Sequence, residues 1–295
     1  MRELSRTAAP RDEGRKVKYF VRGDMGVSSR QFGALKARDG LRVNGASVHA
    51  DHPLRAGDVV TVRLEDGPPA AAIVPDPTPV DVVYEDDDIL IIDKPAPLAC
   101  QCSCRQTAMT LENRLAWRYR DAPDFVFRPL NRLDKGTSGL MAAAKHAHAV
   151  QRLQKLLHTD RFVREYLAVA VGRMEGAGVI DAPIAKAEGA TVRRVVDPDG
   201  LPALTRYRVE RPGEAFSLVR LRLETGRTHQ IRVHLAHLGH PIAGDFLYGA
   251  EDARLPGRFA LHSTLIRLEH PVTGATVERA SPLPAALAAL MEAER

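Results

Sequence analysis

Long apolar runs and a secretion-type N-terminus are both absent from this sequence. No run approaches the roughly 20 residues that a membrane-spanning helix needs. The first eight residues, Met-Arg-Glu-Leu-Ser-Arg-Thr-Ala, contain no apolar signal core. We therefore expect a cytoplasmic protein that has no membrane partner.

Cysteine is scarce, with three residues in 295, and all three lie in one short segment: Cys100, Cys102 and Cys104. An odd, clustered set does not form a disulfide framework. Structural zinc sites usually combine two Cys-x2–4-Cys pairs, and no second pair is present. We predict no metal site here and interpret the thiols as incidental to a strand or loop.

Charge is nearly balanced overall but unevenly distributed. The chain has 42 Lys and Arg against 37 Asp and Glu, which gives a net charge of +5. Residues 1–66 contain 13 basic against 9 acidic side chains, residues 67–129 contain 6 against 10, and residues 130–295 contain 23 against 18. Basic charge at both ends favours a polyanion such as nucleic acid, gripped between two parts of the protein.

Residues 14–66 have the pattern of a small α+β unit. Ser28 and Ser29 can cap a helix in which Phe32 and Leu35 face inward. The segment Leu41–Val48 is two short strands around an Asn-Gly turn, and Val59–Val62 adds another strand. Five prolines follow within residues 67–79 and predict an extended, semi-rigid linker. We therefore predict three parts: a small domain at residues 1–66, a linker at 67–79, and a large domain at 80–295.

The large domain alternates strand and helix patterns. Ile89–Ile92 is a short apolar run typical of a buried strand, and residues 145–158 show helical spacing. Residues 163–171 are apolar on both faces, which predicts a central strand, and residues 216–223 alternate like a further strand. The predicted fold class is α+β, with a mixed, mostly antiparallel sheet covered by helices.

A single acid stands out in the loop-like segment 128–140. Asp134 is followed by Gly136, Thr137, Ser138 and Gly139, which favour a turn before a buried strand. Arg132 and Lys135 beside it favour the ionised carboxylate. The alternative is an ordinary surface acid paired with its basic neighbours.

Four histidines near residue 235 support a second hypothesis, a metal-dependent hydrolase. They are His229, His234, His237 and His240. Hydrolytic metal sites usually include a nearby carboxylate, and glutamate is absent from residues 225–250. The same segment predicts a helix capped by Thr228, ended by Gly239, with Ile231, Leu235 and Leu238 inward.

Segment 128–140 resembles the Arg-Leu-Asp motif of the RluA-type pseudouridine synthases, which isomerise uridine in folded RNA. Asn131 stands where that family usually has His, and Gly136 where it usually has an acid. Three further blocks match in the family's order, so the resemblance covers residues 80–290. They are the segment around Tyr166, Gly226–Arg232 and Gly239–Gly249.

The resemblance implies roles for individual residues. Asp134 matches the catalytic aspartate, which either attacks C1′ of the sugar or removes a sugar proton. Tyr166 matches the active-site tyrosine, and Arg227 matches the arginine that pairs with the carboxylate, a role for which Arg232 is the weaker candidate. Three residues are assigned to substrate binding: Arg132, which helps fill the gap left by the flipped nucleotide, Thr137 and Arg232.

The resemblance also implies an S4-like RNA-binding domain at residues 1–66, which precedes the catalytic domain in many such enzymes. The implied reaction oxidises nothing and loses no group, so no cofactor or metal is expected. The expected partner is ribosomal or transfer RNA, and the protein is expected to be a monomer. Two other functions stay open at this point: an RNA-binding protein without catalysis, and the metal-dependent hydrolase.

Overall fold

The structure is a computed structural model that describes residues 2–37, 40–64, 73–103, 106–122 and 124–292. Two separate sheets dominate it. One is built from residues 2–64, and the other from residues 81–280.

The first sheet has four antiparallel strands and two packed helices. Its elements are β1 (Arg2–Thr7), a 3-10 turn (Pro10–Asp12), α1 (Val17–Gly23), α2 (Ser29–Ala37), β2 (Leu41–Val43), β3 (Ala46–Ser47) and β4 (Val59–Leu64). The strand order is β1-β4-β2-β3. β1 lies outside the predicted unit, which begins at residue 14, because this mostly polar strand shows little apolar periodicity.

Local predictions for this part are confirmed. The hydroxyl of Ser28 accepts a hydrogen bond from the backbone N–H of Gln31, so Ser28 caps α2. Asn44 and Gly45 both adopt positive φ, 49° and 81°, which is the geometry of a tight hairpin turn. Phe32 and Leu35 are buried in a cluster confined to residues 4–64. This part therefore has its own hydrophobic core.

The proline-rich segment is described only from residue 73, so Pro68 and Pro69 lie outside the described residues. Residues 73–80 form neither helix nor strand and are attached to the large domain. The side-chain amide of Asn113 donates to the carbonyl of Val74, at 2.8 Å, and the backbone N–H of Asp76 donates to the carbonyl of Asn113, at 3.0 Å.

The second sheet has ten strands. They are β5 (Asp81–Glu85), β6 (Ile89–Lys94), β7 (Arg128–Pro129), β8 (Ser138–Ala144), β9 (Phe162–Val171), β10 (Ala177–Asp181), β13 (Leu204–Arg211), β14 (Phe216–Leu223), β15 (Leu261–Glu269) and β16 (Thr276–Ala280). A separate two-stranded sheet pairs β11 (Ile184–Lys186) with β12 (Arg194–Val196).

The main strand order is β10-β13-β14-β9-β15-β8-β6-β5, with β16 beside β15 and β7 beside β8. Among the described strands, β15 and β8 form a parallel pair and the other pairs are antiparallel. The predicted mixed, mostly antiparallel sheet is confirmed, and β9 is a central strand as expected.

Four helices cover the two faces of the sheet: α3 (Leu111–Arg118), α4 (Ala147–Gln154), α5 (Gln230–His237) and α6 (Ala285–Glu292). α3, α5 and α6 contribute Leu115, Leu235 and Leu287 to one buried cluster. α4 contributes Leu153 to a second cluster, which holds alternate residues of the same strands. The sheet is therefore the middle layer between two cores.

A row of residues across three central strands positions the site. Tyr166 of β9 pairs with Ser263 of β15, which pairs with Gly139 of β8. Gly139 has a φ of 102°, and an added Cβ would come within 2.2 Å of the carbonyl oxygen of Ser263. This close approach brings the turn that precedes β8 next to the middle of β9.

Candidate active site

The turn before β8 presents Asp134. The backbone N–H of Thr137 donates to the carbonyl of Asp134, at 3.0 Å, and the carbonyl of Lys135 accepts from the N–H of Leu98, at 2.9 Å. A Cβ added at Gly136 would lie 2.7 Å from the ring of Phe259. Glycine therefore lets Phe259 pack against this turn, which explains physically why no acid stands at position 136.

A buried arginine holds the carboxylate. The guanidinium of Arg232 donates from Nη1 to Oδ2 of Asp134, at 2.9 Å. Its other edge makes a bidentate contact with Asp245, at 2.7 and 2.8 Å. The side chain is 4% exposed and that of Asp245 is fully buried. Burial alone would lower the pKa of Arg232, but its hydrogen bonds to Asp245 and the charge of Asp134 raise it, so the guanidinium stays charged.

Aromatic rings fix the same guanidinium. Its central carbon lies 4.2 Å from the ring centre of Phe259 and 5.0 Å from that of Tyr248. A planar guanidinium with a bidentate partner and two rings has little freedom to rotate. Arg232 therefore reaches Asp134 as a rigid donor.

The expected pairing of Arg227 with Asp134 is wrong. Nε of Arg227 donates to the carbonyl of Pro202, at 2.9 Å, and Arg232 takes the carboxylate instead. α5 begins only at Gln230, so Arg227 belongs to the preceding loop. Arg232 lies in the first turn of the helix and faces inward.

The start of α5 also differs from the prediction. The N-cap position is occupied by His229, in the left-handed conformation and without a capping hydrogen bond from its side chain, and not by Thr228. Gln230 organises the loop: its side-chain oxygen accepts from the backbone N–H of Arg227 and from the hydroxyl of Thr225, both at 2.9 Å. Ile231 and Leu235 are buried as predicted, whereas Leu238 is 38% exposed.

Tyr166 lines the pocket together with Asp134 and Arg232. Its side chain is 3% exposed, and burial raises the pKa of its hydroxyl, so the ring is neutral. Arg164 lies two residues earlier on the same face of β9 and is 5% exposed. The strand therefore presents an aromatic ring and a cation side by side.

The remaining predicted residues lie at different depths. Arg132 is exposed and lines both the pocket and an open groove next to it, whereas Thr137 is 2% exposed and lines the pocket. Asn131, at the position of the family's histidine, is buried, and its side-chain oxygen accepts from the backbone N–H of Ala142 at 2.9 Å. Asn131 thus joins the turn to β8.

Three of the four histidines of the hydrolase hypothesis have separate partners. His234 bonds the hydroxyl of Thr205 and the carbonyl of Ala182, both at 2.9 Å, inside the core. His240 bonds the carbonyl of Val171, at 3.0 Å, and His229 lies near Asp134. The hydrogen bonds of His234 and His240 support the fold and do not bring the histidines together around an ion.

The cysteines lie beside the site. The thiol of Cys100 donates to the carbonyl of Leu133, at 3.0 Å, and burial raises its pKa. Cys102 lines the open groove, and Cys104 lies outside the described residues.

Within the described ranges, no helix is long and apolar enough to cross a membrane.

Some residues that build the site had no separate role in the sequence interpretation. Lys94 is fully buried, and its ammonium donates to the carbonyls of Leu98 and Pro95, at 2.7 and 3.0 Å. Burial lowers the pKa of Lys94 to about 8. Asp245 and Tyr248 belong to the block Gly239–Gly249 and hold Arg232. An acid between two glycine-rich turns is the signal that could have drawn attention to Asp245.

The fold and the pocket bring together one carboxylate, a buried guanidinium that holds it, and a tyrosine ring. A model of the family described as RNA pseudouridylate synthase matches residues 88–237. The chain belongs to this family, and it is an isomerase that acts on RNA.

Known proteins with high similarity carry related names. Ribosomal large subunit pseudouridine synthase D of Vibrio parahaemolyticus is 41% identical over 74% of this chain and 71% of its own length. The uncharacterized RNA pseudouridine synthase YjbO of Bacillus subtilis is 34% identical over 94% of this chain and 99% of its own. Among solved structures, human RNA pseudouridylate synthase domain containing 1 superposes with a TM-score of 0.56 at 27% identity, covering 73% of this chain and 94% of that one.

Proposed function

We propose that this enzyme converts uridine to pseudouridine in ribosomal RNA of the large subunit, with Asp134 as the catalytic carboxylate. The contact between Arg232 and Asp134 carries the assignment of the residue. The relatives named for the ribosomal large subunit support the assignment of the RNA. Transfer RNA, the other substrate expected from the sequence, is the alternative that the experiment below distinguishes.

The reaction defines what the site has to supply. The bond between C1′ and N1 breaks, the uracil rotates, and C1′ bonds to C5; C5 then loses its proton and N1 gains one, so the composition does not change. A carboxylate must act at the sugar, and water must be kept away, because water at C1′ would release the base. Asp134 fits the first need because Arg232 binds only Oδ2. Oδ1 is left for the sugar, whether it attacks C1′ or removes a sugar proton.

Tyr166 and Arg132 fit two further needs. A buried ring on a rigid central strand offers a flat surface on which the detached uracil can turn. Arg132 is exposed at the rim, where it can enter the stack that the target nucleotide leaves. Thr137 lies below, in the wall of the pocket.

The RNA backbone would lie in the neighbouring open groove, which we call the cation groove. It is lined by four cations: Arg132, Lys135, Arg164 and Arg227. Within the described part of the chain, none of these four is in an ion pair with a carboxylate. Arginines on the adjacent strands do pair: Arg220 with Glu165, and Arg206 with Glu224. Unpaired cations along one groove are suited to phosphate, which positions RNA without reading its sequence.

Residues 1–66 would supply a second RNA contact as an S4-like domain. The separate core, the net charge of +4 and the proline-rich segment between the two parts support this role. α1 also exposes Tyr19, with the ammonium of Lys18 5.1 Å from its ring centre. An exposed ring beside a cation can stack on an unpaired base.

The test is Asp134→Asn in a strain that lacks the gene. Pseudouridine should be missing from large-subunit ribosomal RNA, return with the wild-type gene, and stay missing with the variant. In vitro, the variant should keep its RNA affinity and lose turnover by more than the roughly 10²–10⁴-fold usual for one acid–base group. Residual activity within tenfold of wild type would reject the catalytic role of Asp134. Loss of pseudouridine from transfer RNA alone would reject large-subunit ribosomal RNA as the substrate.

A further inference from the structure

His229 adopts a backbone conformation that is uncommon for residues other than glycine. Its φ is 59° and its ψ is 18°, in the left-handed region. For a residue with a Cβ this costs about 1–2 kcal/mol. Asn44 has a similar φ in a hairpin turn, where asparagine is common. His229 instead adopts it where α5 begins, and the result is that its side chain turns towards Asp134.

The hydrogen bonds around Tyr248 determine which nitrogen of His229 carries the proton. The backbone N–H of Arg194 donates to the hydroxyl oxygen of Tyr248, at 2.9 Å. The same hydroxyl lies 2.9 Å from Nδ1 of His229. The hydroxyl oxygen could accept a second bond, but its single hydrogen needs an acceptor, and among the described residues Nδ1 is the acceptor at hydrogen-bond distance from it, so we assign the hydroxyl as the donor to Nδ1. Nδ1 is then the acceptor, and Nε2 carries the proton.

That proton-bearing nitrogen faces the carboxylate. Nε2 of His229 lies 3.8 Å from Oδ2 of Asp134, the oxygen that Arg232 binds. The His229 side chain is 13% exposed, and burial lowers its pKa, so the imidazole stays neutral near neutral pH. The other charged groups that act on it are Arg232, Asp245 and Arg194. A neutral donor can support the carboxylate without cancelling its charge.

We propose that His229 is a positioning residue for Asp134: its Nε2–H donates to Oδ2 when substrate fills the pocket, and Tyr248 fixes the tautomer that makes this possible. The present 3.8 Å is longer than a hydrogen bond, and such contacts often shorten only in the complex with substrate. With Arg232 and His229 both on Oδ2, rotation of the carboxylate is restricted, which keeps Oδ1 directed at the sugar. This inference rests on the proposed catalytic role of Asp134.

Two substitutions at His229 separate the donor from the backbone. His229→Asn suits the left-handed conformation, but its amide is too short to reach Asp134. His229→Gln places an amide N–H at about the reach of Nε2. We expect the Asn variant to lower the single-turnover rate at saturating RNA by about 10- to 100-fold, as for loss of one hydrogen bond to a charged group. RNA affinity should not change, and the Gln variant should recover at least part of the rate.

The tautomer is tested separately. Nitrogen-15 NMR of labelled enzyme should show His229 with its proton on Nε2, and Tyr248→Phe should give a mixture of tautomers together with a slower single-turnover rate. An Asn variant as fast as wild type, Asn and Gln variants equally slow, or a wild-type proton on Nδ1 would each overturn the proposal. The Asp134→Asn enzyme is assayed in parallel. If it stays active, the assignment of Asp134 fails, whereas a normal Asn variant beside an inactive Asp134→Asn enzyme rejects only the role of His229.

Discussion

At the scale of single residues, the sequence does not show which of two arginines, Arg227 or Arg232, binds Asp134. Both lie in one short motif, five residues apart. Asp245 and the rings of Phe259 and Tyr248 are far away in sequence, and they select Arg232 by surrounding it. The partner of Asp134 is therefore set by residues outside the motif that contains both arginines.

This difference predicts opposite outcomes for two matched substitutions. Arg232→Lys removes the bidentate geometry with Asp245 and shifts the donor to Asp134, and a misplacement of about 1 Å at a reacting group can cost 10²-fold in rate. Arg227→Lys should weaken RNA binding modestly and leave the rate at saturating RNA nearly unchanged. Single-turnover kinetics of both variants over a range of RNA concentrations is the measurement. A larger loss of rate for Arg227→Lys would contradict the assignment.

Tyr166 allows the ring and its hydroxyl to be tested separately. Tyr166→Phe keeps the ring, whereas Tyr166→Leu removes both. If the ring supports rotation of the uracil, the Phe variant should retain more activity than the Leu variant, because stacking contributes about 1–3 kcal/mol per base. Turnover is measured at saturating RNA, with thermal melting to verify the fold. Equal activities would mean that the ring is not the functional part.

At the scale of elements, the site depends on how closely β8 and β15 approach. The two strands are parallel, and Gly139 lies against the backbone of Ser263. This contact brings the Asp134 turn, at the start of β8, next to Tyr166 on the far side of β15. α5 completes the site from the other end by delivering Arg232 and His229.

The contact at Gly139 predicts a large loss of stability on Gly139→Ala. The added methyl would overlap a carbonyl oxygen at 2.2 Å, and the φ of 102° is strained for alanine. We expect the free energy of unfolding to fall by at least about 3 kcal/mol. Gly33→Ala is the control, since Gly33 lies inside α2 with nothing within 4 Å of an added Cβ. It should stabilise α2 by about 0.4–1 kcal/mol. The free energy of unfolding of both variants is measured by denaturant titration. A Gly139→Ala variant as stable as wild type would refute the steric argument.

At the scale of the whole molecule, the two sheets divide the basic charge between them. The small sheet belongs to a part with a net charge of +4, and the large sheet carries the cation groove next to the pocket. The linker packs on the large domain through Asn113. This arrangement suits an enzyme in which one part grips RNA and the other performs the reaction.

Deleting residues 1–70 should therefore weaken RNA binding and flatten its dependence on salt. Each phosphate contact contributes about 0.7–0.9 to the slope of log affinity against log salt concentration. The rate at saturating RNA should change little, because the described pocket residues all lie beyond residue 130. Binding and single-turnover kinetics across a salt series are the measurements, with circular dichroism to verify the fold. An unchanged salt slope, or a collapsed rate in a folded protein, would assign the small domain another role.

The sequence by itself determined the features that depend on neighbouring residues. The Ser28 cap, the Asn44-Gly45 turn and the buried strand at Ile89 follow from local backbone preference and apolar periodicity, and the spaced motifs identified the family. The tertiary structure decided the contacts between distant segments. In it, Arg232 and not Arg227 binds Asp134, Asp245 and Tyr248 contact Arg232, and the side chain of His229 lies near Asp134. Ion pairs and ring contacts depend on distance in space, and residues about 100 positions apart become neighbours only when β8, β15 and α5 pack together.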